Sequence, residues 1–182
     1  MEFGVDDARQ NGRGTALADI LYDGRLGIII GNWNGYHRAY VPARHSFLDY
    51  ATEAFREPSL VRTVISADFD NDGFDEIFFN NIGQPNRMFR VRDGGVLEPV
   101  ALSAALEADG LGTGAAVADM DGDGVLDLLV AHGESAPQPL SLFRAAIDGP
   151  GRYLRITPLT GQGAPARGAT VILETDMRVH AK

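Results

Sequence analysis

The 182-residue chain has no cysteine, which excludes a disulfide framework and any thiolate metal or redox site. It also has no long apolar run. Residues 26–31 form the longest, about the length of a strand, whereas a membrane-spanning helix needs roughly 20 residues. Basic residues are scarce, with 16 Lys and Arg against 25 Asp and Glu. We therefore expect no membrane span and no nucleic-acid partner, because phosphates would repel a chain of net charge −9 that has no basic patch.

An internal repeat organises most of the sequence. Its marker is an aspartate, found as Asp19, Asp68 and Asp119 at spacings of 49 and 51 residues. Relative to the marker, an alanine stands at −1, a glycine at +5, an apolar triplet begins at +9 and an aromatic residue follows at +21 or +24. The matching residues are Ala18, Ala67 and Ala118; Gly24, Gly73 and Gly124; Ile28, Ile77 and Leu128; and Tyr40, Phe89 and Phe143. Agreement at so many positions indicates three copies of one structural unit.

Each unit has the pattern of short β-strands, because its apolar triplet is bounded by Gly, Asn and Asp, which favour turns. The elements of a unit are a strand, a tight loop, a second strand, a longer loop and an aromatic-bearing strand. This order predicts a four-stranded propeller blade. We place three such blades at residues 12–60, 61–109 and 110–150, which makes the fold all-β. Residues 46–55 and 101–108 could form short helices or outer strands, and the pattern leaves both open.

The repeat ends near residue 150. We therefore assign residues 1–150 to the blades and residues 151–182 to the start of a different, truncated β segment. Within that segment, residues 152–158 have the alternating faces of a strand, and residues 169–173 predict another.

Two of the units carry an acidic loop of the form D-x-D-x-D-G-x-x-[DE], whose positions we number 1 to 9 from the marker aspartate. Ca²⁺ takes about six to eight oxygen ligands at roughly 2.3–2.6 Å. Carboxylates at positions 1, 3, 5 and 9 can converge with the backbone carbonyl of position 7, and the glycine at position 6 permits the sharp reversal. The predicted ligands are Asp68, Asp70, Asp72, Glu76 and the Phe74 carbonyl in loop two (residues 68–76), and Asp119, Asp121, Asp123, Asp127 and the Val125 carbonyl in loop three (residues 119–127).

The alternative for both loops is a solvated Asp–Gly turn without a metal, since these residues favour turns. Calcium is favoured for two reasons. At least three acids within nine residues repel one another unless a cation lies between them, and the same arrangement occurs in two units. An EF-hand is excluded because position 12 is Phe79 or Val130, inside an apolar strand, rather than a glutamate. Loop one (residues 19–27) has Leu21 and Gly27 at positions 3 and 9, so we expect it to be empty.

Two further groups of residues admit a functional interpretation. Residues 132–135, His-Gly-Glu-Ser, supply a base, an acid and a hydroxyl, but adjacency in sequence is not the geometry of a triad, and we predict no catalytic residues. Trp33, Tyr36 and His37 lie in a Gly/Asn-rich segment that could contact a protein or a glycan. The alternative is that Trp33 packs between neighbouring blades.

The blade pattern and the acidic loops resemble the FG-GAP/VCBS repeats of integrin-α-type propellers. More closely, the chain is similar to the cartilage acidic protein family, whose C-terminal module is called ASPIC/UnbV. The similarity is carried by residues 31–35, 37–38, 61–72, 76–82, 86–90, 132–135 and 138–141, and residues 166–173 resemble the opening of the ASPIC/UnbV module. The resemblance implies a secreted or cell-surface calcium-binding propeller that acts through protein or glycan contacts, of a family with no established catalytic residues.

Three blades leave two open ends, whereas closed propellers have about four to eight blades. We therefore expect the chain either to self-associate or to be part of a larger propeller. The interpretation that follows is a non-catalytic, calcium-binding repeat protein with two calcium sites. The alternative is an accessory or carbohydrate-binding module of a carbohydrate-active enzyme.

Overall fold

A computed structural model of the chain describes residues 3–134, 136–145, 153–174 and 179–181. Within these residues the protein is all-β, apart from one four-residue helix and one short 3₁₀ turn. Three antiparallel sheets follow one another along the chain, and a two-stranded ribbon follows them. The strands are β1 (Gly12–Ala18), β2 (Gly27–Asn32), β3 (Arg38–Pro42) and β4 (Phe47–Asp49) in the first sheet; β5 (Val61–Ala67), β6 (Glu76–Asn81), β7 (Arg87–Arg92) and β8 (Val96–Val100) in the second; β9 (Gly112–Ala118), β10 (Asp127–His132) and β11 (Ser141–Phe143) in the third; and β12 (Ile172–Glu174) with β13 (Val179–Ala181) in the ribbon.

The pairing of the strands repeats from sheet to sheet, which confirms the internal repeat. In each sheet the apolar residue at +9 lies opposite the aromatic residue of the next strand. The first strand of each sheet also carries a register shift six residues before the marker aspartate. The paired residues are Ile28 with Tyr40, Ile77 with Phe89, and Leu128 with Phe143.

The two segments whose structure the sequence left open each combine short elements. In residues 46–55, β4 is followed by the helix α1 (Glu53–Arg56), whose first turn is capped by the Thr52 hydroxyl accepting from the Phe55 amide at 3.3 Å. The same hydroxyl donates to the Leu97 carbonyl at 3.0 Å and so ties the helix to the second sheet. In residues 101–108 a 3₁₀ turn forms at Ala104–Leu106.

Aromatic rings fill the space between the first and second sheets. The ring centroid of Phe55 lies 5.1 Å from that of Phe79 and 4.8 Å from that of Phe89, and those two rings are 5.7 Å apart. All three side chains are buried. Each ring removes about 150–250 Å² from water, so this cluster joins the two sheets through a large apolar contact.

The first strands of successive sheets lie beside one another. β1 packs against β5, and β5 packs against β9. Gly14 of β1 is so close to β5 that a Cβ there would stand 2.7 Å from the backbone nitrogen of Val64. A second apolar cluster fills the space between the second and third sheets and contains Ala67, Phe69, Phe78, Leu128 and Val130.

Three predictions about the later part of the chain have different outcomes. The third sheet has three strands among the described residues, and residues 146–150 at the end of the predicted third blade lie outside them, so its fourth strand stays a prediction. The strand predicted at 152–158 is wrong, because Tyr153 to Pro158 form no strand; within the described residues only Pro158 pairs through its backbone with a neighbouring segment, its carbonyl accepting from the Ala166 amide at 2.9 Å. Residue 152 lies outside the described residues. The strand predicted at 169–173 begins only at Ile172.

No helix within the described ranges is long and apolar enough to cross a membrane.

Candidate metal centre

Loops one, two and three share the same turn-forming hydrogen bonds. The position-1 carboxylate accepts from the amide of the position-6 glycine: Asp19 from Gly24 at 2.9 Å, Asp68 from Gly73 at 3.0 Å and Asp119 from Gly124 at 3.2 Å. These glycines have φ of 80°, 88° and 87°, a region that strains other residues. The position-5 carboxylate accepts from the position-7 amide in every loop. Because loop one shares both bonds, positions 1, 5 and 6 shape the turn.

Position 9 closes loops two and three across their mouths. Glu76 Oε2 accepts from the Phe69 amide at 3.0 Å, and Asp127 Oδ2 accepts from the Met120 amide at 3.0 Å. Both amides belong to position 2. Loop one has Gly27 at position 9 and therefore lacks this bond.

The structure brings three carboxylates together in each of the two loops. In loop two, oxygens of Asp68, Asp70 and Glu76 lie within 4.8 Å of one another, and Asp72 is outside that group. In loop three the corresponding group is Asp119, Asp121 and Asp123, and Asp127 is outside it. An all-oxygen, all-anionic donor set suits a hard cation such as Ca²⁺, so the residues present fit the predicted metal. The carbonyls of Phe74 and Val125 remain predicted ligands.

Loop two is also the more buried of the two sites. The Glu76 side chain is 2% exposed, and burial raises the pKa of its carboxyl to about 7. Burial, together with the charges of Asp72 and Asp70, raises the pKa of Asp68 above its ordinary value. Asp75, at position 8, accepts from the Ser66 hydroxyl at 2.8 Å instead of joining the group. A cation between the loop carboxylates would relieve this excess of negative charge.

Loop one carries a guanidinium on its own acid. Arg25, at position 7, contacts the Asp23 carboxylate through Nε at 2.9 Å and also through Nη2. This hydrogen bond lowers the pKa of Asp23. Loop one thus has an internal positive charge beside the two carboxylates that it retains.

Successive loops contact one another through position 4, a role that the sequence reasoning missed. The residue at this position has a positive φ in every loop: Tyr22 at 52°, Asn71 at 57° and Gly122 at 82°. The Tyr22 hydroxyl accepts from the Asp75 amide of loop two at 3.0 Å, and the Asn71 amide group donates to the Gly124 carbonyl of loop three at 2.9 Å. The only sign of this conformation in the sequence was that asparagine and glycine, which tolerate a positive φ, stand at position 4 of loops two and three.

Arginines also reach the acidic loops, and the sequence reasoning missed them as well. Arg90 contacts the Asp70 carboxylate and donates through Nε to Glu76 Oε1 at 3.0 Å. In loop three, Arg144 lies 2.6 Å from Asp121 Oδ2, and Arg155 donates to Asp119 Oδ2 at 2.6 Å. The available signal was that Arg90 and Arg144 directly follow the repeat's aromatic residue.

The His-Gly-Glu-Ser segment is not brought together as a unit. Nε2 of His132 lies 3.1 Å from Glu107 Oε2, and its Nδ1 is 2.8 Å from the Pro139 carbonyl. Glu134 pairs with Arg62. Ser135 lies outside the described residues.

The segment suggested as a contact surface is only partly exposed. Tyr36 is 57% exposed, whereas His37 is fully buried and its ring lies 4.7 Å from that of Phe79. Trp33 is half-buried under the Arg62 guanidinium, 4.4 Å above its ring, and it bridges to Ser59 and Leu60 at the start of the second sheet. The expectation of exposure is therefore wrong for His37, because its ring is part of the core.

His37 is held in its neutral form by two hydrogen bonds. Its Nδ1 accepts from the Asn32 amide at 3.0 Å, which leaves Nε2 to donate to the Ser59 hydroxyl at 3.0 Å. In the second sheet, Asn86 takes the same place and accepts from the Asn81 amide at 2.8 Å. Burial, with a smaller contribution from Arg87, lowers the pKa of His37 from 6.5 to about 4.

This pKa predicts acid sensitivity that His37→Asn removes. Because the unfolded chain binds the proton more tightly, the His37 contribution to stability is complete above pH 6.5 and is lost as the pH falls towards 4. We expect the free energy of unfolding of the unchanged protein to fall by more than that of His37→Asn over this interval, by about 1–3 kcal/mol. Urea unfolding at pH 7 and pH 4.5 measures the difference, and equal losses would contradict it.

Comparison with known proteins finds a repeat family that matches the part of the chain with loops two and three, and homologues that match nearly all of it. A family model described as an FG-GAP-like repeat matches residues 68–130, which include both acidic loops. The chain is 51% identical over 184 aligned residues to cartilage acidic protein 1 of Homo sapiens, and 50% identical to that of Mus musculus and of Xenopus tropicalis. Each alignment covers 94% of this chain and 28% of the relative, so the chain spans about a quarter of the length of these relatives.

These matches confirm the resemblance inferred from the sequence: over nearly all of its length the chain is a homologue of a segment of cartilage acidic protein 1, and it contains an FG-GAP-like repeat.

Proposed function

We propose that the chain is a calcium-binding repeat segment of extracellular type in which Ca²⁺ fills loops two and three and has a structural role. The observation that carries this proposal is the convergence of three carboxylates in each of these loops. Loop one supports it by contrast, because it keeps the turn-forming positions 1, 5 and 6 and lacks both acids at positions 3 and 9. The turn of the loop therefore forms without acids at positions 3 and 9, so the acids at these positions in loops two and three are not needed for the turn itself.

We infer that the three sheets are successive blades of a β-propeller, with units at residues 12–60, 61–109 and 110–150 and a separate segment at 151–182. The repeated registers and the side-by-side packing of β1, β5 and β9 support this arrangement. Three blades are too few to close a propeller. Additional blades would come from a second copy of the chain or from a longer protein, since the relatives are several times longer.

The proposed role is non-catalytic interaction with a protein or a glycan. The name of the relatives, cartilage acidic protein 1, refers to a tissue and to acidity and to no reaction. Secretion or display at the cell surface would place the loops in millimolar calcium, where extracellular modules with dissociation constants of about 10⁻⁴–10⁻³ M are filled.

Thermal unfolding in calcium and in chelator tests the structural role. Bound calcium cancels the repulsion among the loop carboxylates and stabilises only the folded state, so we expect a higher melting temperature in calcium. At a calcium concentration 100 times the dissociation constant, one site adds about 2.7 kcal/mol to the free energy of unfolding. Melting curves that coincide in calcium and in chelator would contradict the proposal.

A further inference from the structure

Both candidate calcium loops already hold a positive charge on the position-3 carboxylate. Arg90 contacts Asp70, and Arg144 contacts Asp121. Neither arginine belongs to the loop that it contacts: Arg90 lies on β7, and Arg144 follows β11. The loop and its arginine are therefore brought together by the pairing of the second and third strands of each sheet.

The arginine and the aspartate occupy matching positions in the repeat and are absent together from the first unit. Arg90 follows Phe89, and Arg144 follows Phe143. The residue after the matching aromatic of the first sheet is Val41, which is buried, and position 3 of loop one is Leu21. The unit that lacks the acid thus also lacks the arginine, as expected of two groups that act as a pair.

We propose that Arg90 and Arg144 are resident counter-cations, which neutralise the position-3 aspartates of the metal-free loops and compete with calcium for them. The inference rests on the proposed calcium sites. Each guanidinium contacts the Oδ2 atom of its aspartate, so a calcium ion that binds through this oxygen displaces the guanidinium, whereas one that binds through Oδ1 binds beside a positive charge. The guanidinium that remains nearby also repels the divalent ion. Each arginine therefore weakens the affinity of its loop for calcium, and the less exposed Arg90 also stabilises its loop when calcium is scarce.

Space for the released side chains exists between the second and third sheets. Arg90 and Arg144 both line a cleft of about 280 Å³ whose walls include Met88, Leu126 and Leu128. A guanidinium that leaves its carboxylate can lay its aliphatic stem on these apolar walls and keep its charged end in water.

The two arginines differ in burial, so their removal has different consequences. The Arg90 side chain is 24% exposed and also pairs with Glu76, which is 2% exposed. Its loss leaves a buried carboxylate without its charged partner, a change that destabilises the metal-free protein. The Arg144 side chain is 66% exposed, and exposed ion pairs contribute little to stability. Arg144→Gln therefore isolates the competition with calcium from any effect on folding.

Calcium titration by calorimetry, together with melting in chelator, tests the inference on Arg90→Gln and Arg144→Gln. The matched control is Arg92→Gln, which removes an arginine of β7 whose partner is the exposed Glu98. We expect Arg144→Gln to bind calcium about three- to tenfold more tightly at one of its sites with an unchanged melting temperature in chelator, because one competing charge is removed. Arg90→Gln should also bind more tightly and should melt at a lower temperature in chelator. Arg92→Gln should match the unchanged protein.

The possible outcomes separate this inference from the proposed function. Calcium binding by the unchanged protein with the same or weaker affinity in Arg144→Gln overturns the inference alone. The absence of calcium binding in the unchanged protein and in every variant overturns the proposed function and the inference with it. Arg144→Lys, which keeps a positive charge, should retain part of the competition, and an affinity equal to that of Arg144→Gln would contradict the electrostatic cause. If Arg90→Gln does not fold, Arg144→Gln still decides.

Discussion

Phe79→Ala is expected to destabilise the first and second sheets together, because the Phe79 ring packs against Phe55, Phe89 and His37 at their interface. The side chain is fully buried, so its removal leaves a cavity that rigid strands on both sides cannot fill. Such a change costs about 3–5 kcal/mol. Domains have a total stability of about 5–15 kcal/mol, so the loss is a large fraction of it. Denaturant unfolding followed by circular dichroism measures the change.

The matched control for this substitution is Phe3→Ala. Phe3 is 55% exposed, so the same change in chemistry removes little buried surface there. We expect its effect to stay within about 1 kcal/mol. A loss in Phe79→Ala no larger than that in Phe3→Ala would show that the aromatic cluster does not hold the two sheets together.

The double variant Asp70→Ala with Asp121→Ala is expected to abolish the calcium dependence of the melting temperature. These aspartates occupy position 3 of loops two and three, one of the two ligand positions that loop one lacks. Their loss leaves two carboxylates in each of the converging groups, too few for a calcium shell. If both sites contribute about 2.7 kcal/mol each, the unchanged protein should melt about 10–20 °C higher in calcium than in chelator, and the double variant should not.

Asp23→Ala provides the control for the double variant. Asp23 is an aspartate of loop one that pairs with Arg25, in a loop that we expect to hold no metal. Its removal should leave the calcium-dependent rise in melting temperature as large as in the unchanged protein. A rise of the same size in the double variant, or its loss in Asp23→Ala, would contradict the assignment of the sites.

Much of the fold was predictable because its determinants lie close together in sequence. The alternation of apolar residues fixes which face of a strand is buried, and the marker aspartate fixes where each loop begins. For this reason the three units have equivalent strand pairs, in which Ile28, Ile77 and Leu128 each lie opposite the aromatic residue of the next strand. The strand predicted at residues 152–158 failed because a strand needs a neighbour, and a single sequence does not show whether one is in reach.

The candidate site was predictable only in part, for a similar reason. The acids of the loops are read directly from the sequence, because all of them lie within nine residues of the marker. The contact of Arg90 with Asp70 spans 20 residues and depends on the register between β6 and β7. The burial of His37 depends on Phe79 of the next sheet. Contacts of this kind become visible only when the sheets are packed together.

The most direct test of the central claim is the number of calcium ions that one chain binds, counted by calorimetric titration of the metal-free protein. Loops two and three each bring three carboxylates together, and loop one does not. We expect two ions per chain, with both sites lost in the double variant. No binding by the unchanged protein, or undiminished binding by Asp70→Ala with Asp121→Ala, would contradict it.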